Sequence, residues 1–403
     1  MRTIFFIIGC FATSIVFSQK NEKLALTPPM GWNSWNTFET NVNEELVKGV
    51  VESFIKDGLK DAGYNYIVLD DGWMSKERDS QGNLIPDPKK FPNGLKTLSD
   101  FIHSKGLKFG IYNCAGDKTC GGYPGSRGHE YQDAMMYASW GVDYLKYDWC
   151  NTEKINAEAA YTTMSRALLA TGRPIIFSLC EWGDNSPWLW AGKIGHLWRT
   201  TGDIYPCFNC EFSHGTWSSW GVMRIVNMRK DIRKYAGPGH WNDPDMMEVG
   251  NGMTLSEDRT HFSLWCMMAA PLIIGNDIRK ASKETLSILT NKNLIAIDQD
   301  SMGIQGFRVS QKDSMELWAK PLSKGDWALC FINTSSKSQK LTYNWSSNTI
   351  TDSLFTFSLN TKNTSYTVKD LYKNALLAST KKPLEASIAS HDVLMVRLTK
   401  KQD

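Results

Sequence analysis

The sequence lacks several features that would assign it to common functional classes. The chain has 403 residues, and after residue 17 it contains no apolar run long enough to cross a bilayer. There is no block rich in Lys and Arg, and the formal net charge is only +3, so nothing favours nucleic acid or an anionic membrane as a partner. The seven histidines are scattered, which disfavours a barrel built around a divalent metal ion. No glycine-rich phosphate loop follows the first predicted strand, which disfavours a doubly wound nucleotide-binding fold.

The N-terminus is the one strongly apolar segment. Residues 1–18 contain one early arginine, an apolar run to Phe17 and a small residue, Ser18, at a suitable cleavage position. This pattern predicts a signal peptide, so we expect a secreted or periplasmic protein that is not inserted in the membrane once the signal is removed. A lipoprotein cleavage box at Cys10 is the less favoured alternative, because it would leave too short an apolar core.

The nine cysteines do not form a metal-binding pattern. Cys207 and Cys210 make a single CxxC with His214 nearby, but a structural zinc site needs about four ligands and the sequence has no second pair. We therefore expect no metal and no cofactor. An exported protein can oxidise cysteines, so a local disulfide or plain packing is favoured for this pair.

Residues 24–303 alternate short β-rich runs with amphipathic helical patterns. Several helical segments end on a glycine immediately before a strand, as at Gly63, Gly106 and Gly141. This rhythm indicates βα units and a parallel sheet. Eight such strands in about 280 residues match the count and size of a (β/α)8 TIM barrel, so the predicted fold class is α/β.

Residues 304–403 show a different pattern, without alternating helical segments. Short β-rich segments such as SMELWAKPL and DVLMVRLT are separated by Ser, Asn, Lys and Gly. Leu394, Val396 and Leu398 alternate as in a half-exposed antiparallel strand. We therefore predict a C-terminal antiparallel β-sandwich domain with a structural or accessory role.

Polar side chains collect at the predicted C-terminal strand ends, where TIM barrels build their active sites. Seven carboxylates from five strands lie there, together with tryptophans and only two cations, which is a poor structural network. Such a set suits a polyhydroxylated ligand, whose hydroxyls donate to carboxylates and whose apolar face stacks on rings. The residues concerned are Trp32 and Trp35, Asp70 and Asp71, Tyr112, Lys146 and Asp148, Glu181, Arg199 and Asp203, and Asp243 and Asp245.

Three reactions could use these groups. A metal-dependent barrel would require histidines clustered with the acids, and only His196 and His240 lie near strand ends. Lys146 could form a Schiff base, but a lysine two residues from Asp148 on one strand face is better explained as an ion-paired donor. Glycoside hydrolysis needs two carboxyl groups and no cofactor, and it fits the acids, the tryptophans and export best.

Long segments resemble glycoside hydrolase family 27. They are TPPMGWNSWNTF, YIVLDDGWM, KTCGGYPGS, YLKYDWC, SLCEWG, WRTTGD and GPGHWNDPDMMEVGN, in order between about residues 25 and 306. The family contains retaining α-galactosidases and α-N-acetylgalactosaminidases. The resemblance implies that Asp148 is the nucleophile and Asp203 the acid/base. Lys146, on the same face as Asp148, is expected to lower the pKa of that carboxyl and keep it ionised.

The same resemblance implies which residues hold the sugar. Asp70 and Asp71 match residues that bind the 4- and 6-hydroxyls, Trp35 the ring at the pocket wall, and Lys146 a donor to the hydroxyls. Tyr112 is a further candidate from its strand end, and Arg199 and Glu181 match residues around the 2-position.

The prediction of which sugar is removed depends on Glu181. A bulky acid at this position is similar to the galactosidases, because small residues leave room for an acetamido group. The expected function is therefore hydrolysis of terminal α-linked galactose from oligosaccharides or glycoconjugates, through a covalent galactosyl-enzyme. The alternatives are an α-N-acetylgalactosaminidase or β-L-arabinopyranosidase of the same family, or a non-catalytic galactoside-binding barrel.

The resemblance also bears on the cysteines. Cys120 and Cys150 match a family disulfide that ties the loop after the third strand to the nucleophile's strand. Cys180 has no cysteine at its expected partner position, so a free buried thiol is predicted. The segment YPCFNCEF after Asp203 matches no family pattern, and we expect it to shape the side of the pocket that receives the leaving group.

Overall fold

The computed structural model describes residues 20–228 and 231–400, so the predicted signal peptide lies outside the described residues. Within those two ranges, no helix combines the length and apolar character that a bilayer crossing requires.

A sheet of eight parallel strands confirms the predicted α/β barrel. The strands are β1 Met30–Asn33, β2 Tyr66–Val68, β3 Lys108–Cys114, β4 Tyr144–Asp148, β5 Ile176–Cys180, β6 Leu197–Arg199, β7 Trp241–Asp243 and β8 Leu272–Ile274. Their hydrogen-bonded order is β8-β1-β2-β3-β4-β5-β6-β7. An isolated parallel bridge between Met247 and Ile274 joins the segment after β7 to β8 and closes the ring.

Helices surround this sheet, and the longer amphipathic ones bury an apolar face. The Glu44–Lys56 helix begins after Asn43, whose side chain accepts the backbone N–H of Leu46 at 2.8 Å. It buries Val47, Val50 and Phe54 completely. The other helices are Trp35–Phe38, Leu59–Ala62, Gly94–Ser104, Glu130–Ser139, Ala157–Ala170, Val222–Met228, Leu255–Met267, Lys283–Leu289 and Lys292–Asp298, with 3₁₀ turns at Pro187–Leu189, Ala191–Lys193, Arg233–Tyr235 and Ile278–Lys280.

One excursion interrupts the barrel between β6 and β7. The strands Glu211–Ser213 and Ser218–Trp220 pair antiparallel, and we call residues 211–220 the mouth hairpin. It follows Asp203 by a few residues and lies on the side of the barrel where the strands end.

The C-terminal part is an antiparallel β structure, as predicted. Its main sheet has six strands with Val393–Lys400 near the centre, and its own core contains Trp327, Phe331, Trp345 and Val396. The strands of the main sheet are Phe307–Lys312, Met315–Pro321, Trp327–Asn333, Tyr366–Asp370, Ala375–Ser379 and Val393–Lys400, the separate pairs are Gln339–Tyr343 with Leu384–Ile388 and Ile350–Asp352 with Phe357–Leu359, and 3₁₀ turns lie at Ser323–Gly325 and Trp345–Ser347.

Buried polar contacts connect the two parts. The Arg233 guanidinium binds both carboxylate oxygens of Asp352, at 2.9 and 2.5 Å. Lys320, buried in the second strand of the C-terminal sheet, donates to the carbonyl of Cys266 at 3.0 Å. Cys266 belongs to the Leu255–Met267 helix of the barrel, which begins with a capping box formed by Thr254 and Glu257. The β domain is therefore packed firmly against the barrel.

Candidate active site

A cavity of about 630 Å³ opens at the C-terminal end of the barrel strands. Seven of the nine predicted catalytic and substrate-binding residues line it, and so do both cysteines of the predicted disulfide. The lining residues predicted from the sequence are Trp35, Asp70, Tyr112, Cys120, Lys146, Asp148, Cys150, Arg199 and Asp203. Because β1 to β8 run in parallel, side chains that follow different strands converge at this one end.

Asp148 is the last residue of β4 and is 5% exposed. One of its carboxylate oxygens accepts the backbone N–H of Trp149 at 2.8 Å. Burial raises the pKa of Asp148 to about 7, and the charges of Asp203 and Asp70 act in the same direction. The ammonium of Lys146 and the Trp149 N–H oppose this rise. The expectation that Lys146 sets a low pKa for Asp148 is thus only partly met, because burial outweighs the cation.

Lys146 forms its direct ion pair with Asp70. The Lys146 Nζ lies 2.8 Å from Asp70 Oδ2, and the same oxygen accepts the side-chain amide of Asn33 at 2.7 Å. The second Asp70 oxygen accepts the backbone N–H of Asp71 at 2.9 Å. Burial opposes the charge on Lys146, but Asp70 and other neighbouring groups raise the pKa of Lys146 well above its usual value. A fixed cation and a carboxylate that accepts three hydrogen bonds therefore lie side by side at the cavity floor.

Arg199, at the end of β6, links two carboxylates. Its Nη2 lies 3.0 Å from Asp203 Oδ1 and 2.8 Å from Asp245 Oδ2. Arg199 and Asp245 are almost fully buried, whereas the Asp203 side chain is 36% exposed at the cavity mouth. Burial raises the pKa of Asp245 although Arg199 opposes the shift. Asp203 is thus held by a buried cation while its carboxyl group stays open to the cavity.

Asp71 and Glu181 do not line this cavity. Asp71 uses its carboxylate to accept the backbone N–H groups of Gly72 and Gly121, at 2.8 and 2.7 Å. Glu181 Oε2 accepts the side-chain amide of Asn185 at 2.7 Å, and Oε1 is buried with no hydrogen-bond partner among the described residues. Burial raises the pKa of Glu181 to about 7. Both carboxylates support loops in this structure, and their contact with a sugar stays a prediction.

The structure contains the disulfide between Cys120 and Cys150 that the family resemblance implied. Both sulfur atoms lie within 4.8 Å of an Asp148 carboxylate oxygen, and Tyr112 donates its hydroxyl to Cys120 Sγ at 3.4 Å. Cys120, Cys150 and Asp148 are close enough to share a metal ion, but cysteines in a disulfide cannot act as thiolate ligands.

The other cysteines agree with the expectations from the sequence. Cys207 and Cys210 form a second disulfide, which settles the choice between pairing and plain packing. Cys180 is a free, buried thiol, as predicted, and it lies 3.6 Å from Arg199 Nη1.

Sequence reasoning missed part of the cavity wall. Asn36, Trp182, Asp184, Gly202, Trp217, Ser218, Trp220 and Met246 also line the cavity. Most of them lie in loops, where neither helical nor strand periodicity signals a position. The acid at Asp245 was visible as a strand-end residue but had no assigned role. Its backbone has φ of 93°, a strained conformation for a residue with a side chain.

Comparison with known proteins places these residues in a family context. Residues 27–300 match the family model described as alpha galactosidase A. Residues 312–398 match the model described as the alpha galactosidase C-terminal beta sandwich domain.

Individual relatives cover nearly the whole chain. Alpha-galactosidase A of Cellvibrio japonicus (strain Ueda107) is 51% identical over 382 residues, which cover 95% of this chain and 94% of that protein. The crystal structure of alpha-galactosidase I from Mortierella vinacea is 36% identical with a TM-score of 0.87, over 94% of this chain and 98% of that one. The Saccharomyces cerevisiae alpha-galactosidase, solved with raffinose, is 31% identical with a TM-score of 0.86, over 95% of this chain and 99% of that one.

Proposed function

Because the chain belongs to the alpha galactosidase A family, we propose that it is a retaining α-galactosidase. It removes terminal α-linked galactose through a covalent galactosyl-enzyme. The observation that carries this function is the pair of carboxyl groups, Asp148 and Asp203, which line one cavity in different surroundings. The relatives named above are α-galactosidases, which favours galactose over the N-acetylgalactosamine and L-arabinopyranose alternatives.

Asp148 acts as the nucleophile. It lies deep in the cavity, and Lys146 and the Trp149 N–H both favour its ionised form. Asp203 acts as the general acid in the first step and as the base in the second, because its carboxyl group lies at the mouth, where the leaving group departs and water enters. In retaining enzymes the two carboxyl groups lie about 5 Å apart, so that no water molecule fits between nucleophile and sugar.

The galactose ring is held on the floor of the cavity. Asp70 accepts a hydrogen bond from a sugar hydroxyl on Oδ1, where the Asp71 N–H leaves a lone pair free, and Lys146 has ammonium protons left to donate. Trp35 and Tyr112 provide apolar walls, and Arg199 stands near the 2-position. Asp71 and Glu181 hold the loops at Gly121 and Asn185 in place beside the sugar.

Oligosaccharides and glycoconjugates that end in α-galactose are the proposed substrates. The Saccharomyces cerevisiae relative was solved with raffinose, a galactoside whose leaving group is a disaccharide. We further propose that the protein is exported to the periplasm or outside the cell. The N-terminal pattern of residues 1–18 and the two disulfides support this location.

The decisive experiment measures both turnover and stereochemistry. The parent protein is incubated with an aryl α-galactoside, and NMR follows the anomer of galactose that forms first. A retaining enzyme releases α-galactose before mutarotation. The same substrate is given to Asp148→Gly with and without azide. Azide should restore turnover and yield the β-galactosyl azide, because the small anion occupies the place of the lost carboxylate.

Controls separate the alternatives. Asp100→Asn, which changes an exposed aspartate on the outer Gly94–Ser104 helix, should match the parent. Parallel assays with aryl α-N-acetylgalactosaminide and aryl β-L-arabinopyranoside test the two other sugars. Binding of galactose without hydrolysis of any substrate would identify a non-catalytic binding protein and refute the proposal. First release of β-galactose would refute the retaining mechanism.

A further inference from the structure

The mouth hairpin and Tyr205, which precedes it, form a row of aromatic rings beside the cavity. The rings of Tyr205 and Phe212 are stacked with centroids 4.4 Å apart, and those of His214 and Trp217 are stacked at 3.8 Å. Phe212 also meets His214 edge to face at 4.9 Å, so the four rings are continuous. Trp217 and Trp220 both line the cavity.

Trp217 presents a free ring surface to the cavity. The side chain is 49% exposed, although large aromatic residues are usually buried. Since His214 covers one face at 3.8 Å, the exposed surface is the other face and the ring edge. The neighbouring ring of Phe212 is 42% exposed. Exposed aromatic surface of this kind, next to polar groups, marks a site where an amphipathic ligand binds.

The hairpin is attached directly to the residue proposed as acid/base. The backbone N–H of Trp220 donates to the Asp203 carbonyl at 3.0 Å, and Ile204 bridges to Trp220 in parallel. The Trp220 ring packs on Gly202, where an added Cβ would come within 2.4 Å of the ring. A change in the position of the hairpin would therefore change the position of the acid.

The loop that precedes the hairpin in the chain also holds it in place. The Cys207–Cys210 disulfide closes the preceding loop, whose carbonyls accept the N–H groups that begin the Val222–Met228 helix. Phe208 in this loop stacks on His391 of the C-terminal domain, with centroids 4.2 Å apart. A rigid ring surface loses little entropy on binding, so it can contribute affinity.

Depth in the cavity determines which part of the substrate meets these rings. Asp70 and Asp148 are buried at the floor, the Lys146 side chain is only 12% exposed there, and Asp203 lies at the mouth. The bond that is cleaved lies between galactose on the floor and the group that Asp203 protonates. Whatever is attached to that bond on the solvent side therefore extends toward the exposed part of the cavity wall, to which Trp217 belongs.

We propose that the mouth hairpin is a binding site for the first sugar of the leaving group, which stacks on the exposed face of Trp217. This inference rests on the proposed α-galactosidase function and adds a preference for substrates with a saccharide leaving group. A sugar ring suits the site because its C–H face packs on the indole while its hydroxyls reach solvent and Ser218.

The test compares two galactosides that differ only in what lies beyond the cleaved bond. Methyl α-galactoside has a leaving group too small to reach Trp217, and raffinose carries a disaccharide. We expect Trp217→Ala to raise the KM for raffinose about fivefold to tenfold more than that for methyl α-galactoside. The kcat for raffinose should change by less than about twofold, because stacking contributes equally to ground and transition states. Trp217→Phe should recover most of the loss.

Matched measurements separate the outcomes. Tyr131→Ala removes another exposed ring, on the Glu130–Ser139 helix away from the cavity, and should behave as the parent on both substrates. Equal losses on both substrates would mean that Trp217 only supports the fold near Asp203, and would overturn the proposal. So would the absence of any change.

A binding measurement keeps the two proposals distinguishable. Calorimetry measures the affinity of Asp148→Ala for raffinose, with and without the additional Trp217→Ala change. Weaker raffinose binding in the double variant supports the leaving-group site even if no substrate is hydrolysed, in which case only the proposed function fails. Equal raffinose affinity in both variants overturns the site.

Discussion

The ammonium of Lys146 lies 2.8 Å from the Asp70 carboxylate, two strands away in the barrel, rather than on Asp148 in its own strand. This arrangement separates two tasks. Asp70 neutralises the lysine and orients it toward the cavity floor, while the charge of Lys146 acts on Asp148 through space. Within the described part of the chain, Asp148 therefore has no direct ion pair that would have to break before it attacks the sugar.

Lys146→Met should shift the pH profile of the enzyme. Burial already raises the pKa of Asp148 to about 7, and Lys146 is the largest influence that lowers it. Since the nucleophile must be ionised, kcat/KM falls as pH decreases through this pKa. Without the ammonium the pKa rises further, so the ascending limb of the profile should move to higher pH. Profiles of kcat/KM for an aryl α-galactoside, with exposed Lys96→Met as control, check this. An unmoved limb would contradict it.

Asp203→Asn should affect substrates according to their leaving groups. An amide cannot donate the proton that a sugar alkoxide needs, so kcat/KM for raffinose should fall about a hundredfold to ten-thousandfold. An activated aryl galactoside leaves as a stable phenolate and should lose much less in the first step. The comparison uses both substrates and pre-steady-state kinetics, in which the aryl substrate should show a burst. Equal losses on both substrates would argue against Asp203 as the acid.

Much of this site could be predicted because a parallel barrel brings strand ends together. Asp70, Asp148 and Asp203 lie at or after the ends of three different strands, and the strand pattern alone places them at one end of the barrel. The Lys146 contact was not predictable in this way. Residues two apart share a strand face, which suggested Asp148, but the lysine side chain is long enough to reach Asp70 across β3.

Other features of the site could not be predicted because they depend on the conformation of loops. The partners of Asp71 and Glu181 are amide groups at Gly121 and Asn185, and no periodicity reports where such loops fold. The mouth hairpin has strands of only three residues each, too short for an alternating pattern to show. The CxxC at Cys207 and Cys210, just before the hairpin, was the one visible sign in the sequence that this segment is fixed in place.

Loss of the Cys120–Cys150 disulfide should lower both stability and activity. The bond joins residues 30 apart, and its removal should cost about 3 to 4 kcal/mol through the freedom gained by the unfolded chain. It also connects the loop near Gly121, which holds Asp71, to the strand end that carries Asp148. The double variant Cys120→Ser, Cys150→Ser should therefore show a lower Tm and, below its Tm, a raised KM for methyl α-galactoside. Removal of the other pair, Cys207 and Cys210, should leave that KM closer to the parent's.

The contact between Arg233 and Asp352 should stabilise the interface between barrel and β domain. Asp352 is 1% exposed and both of its oxygens bind the guanidinium, which also donates to the carbonyl of Gln305. Arg233→Ala leaves this carboxylate buried without its cation, so the free energy of unfolding should fall by about 3 kcal/mol or more. Denaturant unfolding at pH 7 measures the change, with Arg127→Ala as a control at an exposed ion pair.

The pH dependence of this contact gives a second, independent readout. Although burial acts to raise it, the hydrogen bonds and charge of Arg233 lower the pKa of Asp352 below its unfolded value. A carboxyl group with a lowered pKa stabilises the fold above the unfolded pKa of about 4, and the contribution disappears as pH falls through the folded pKa. The difference in stability between the parent and Arg233→Ala should therefore be full at pH 7 and shrink below about pH 4. A difference that stays constant down to pH 3 would show that Arg233 acts through packing on Phe307 and Phe355 instead of through charge.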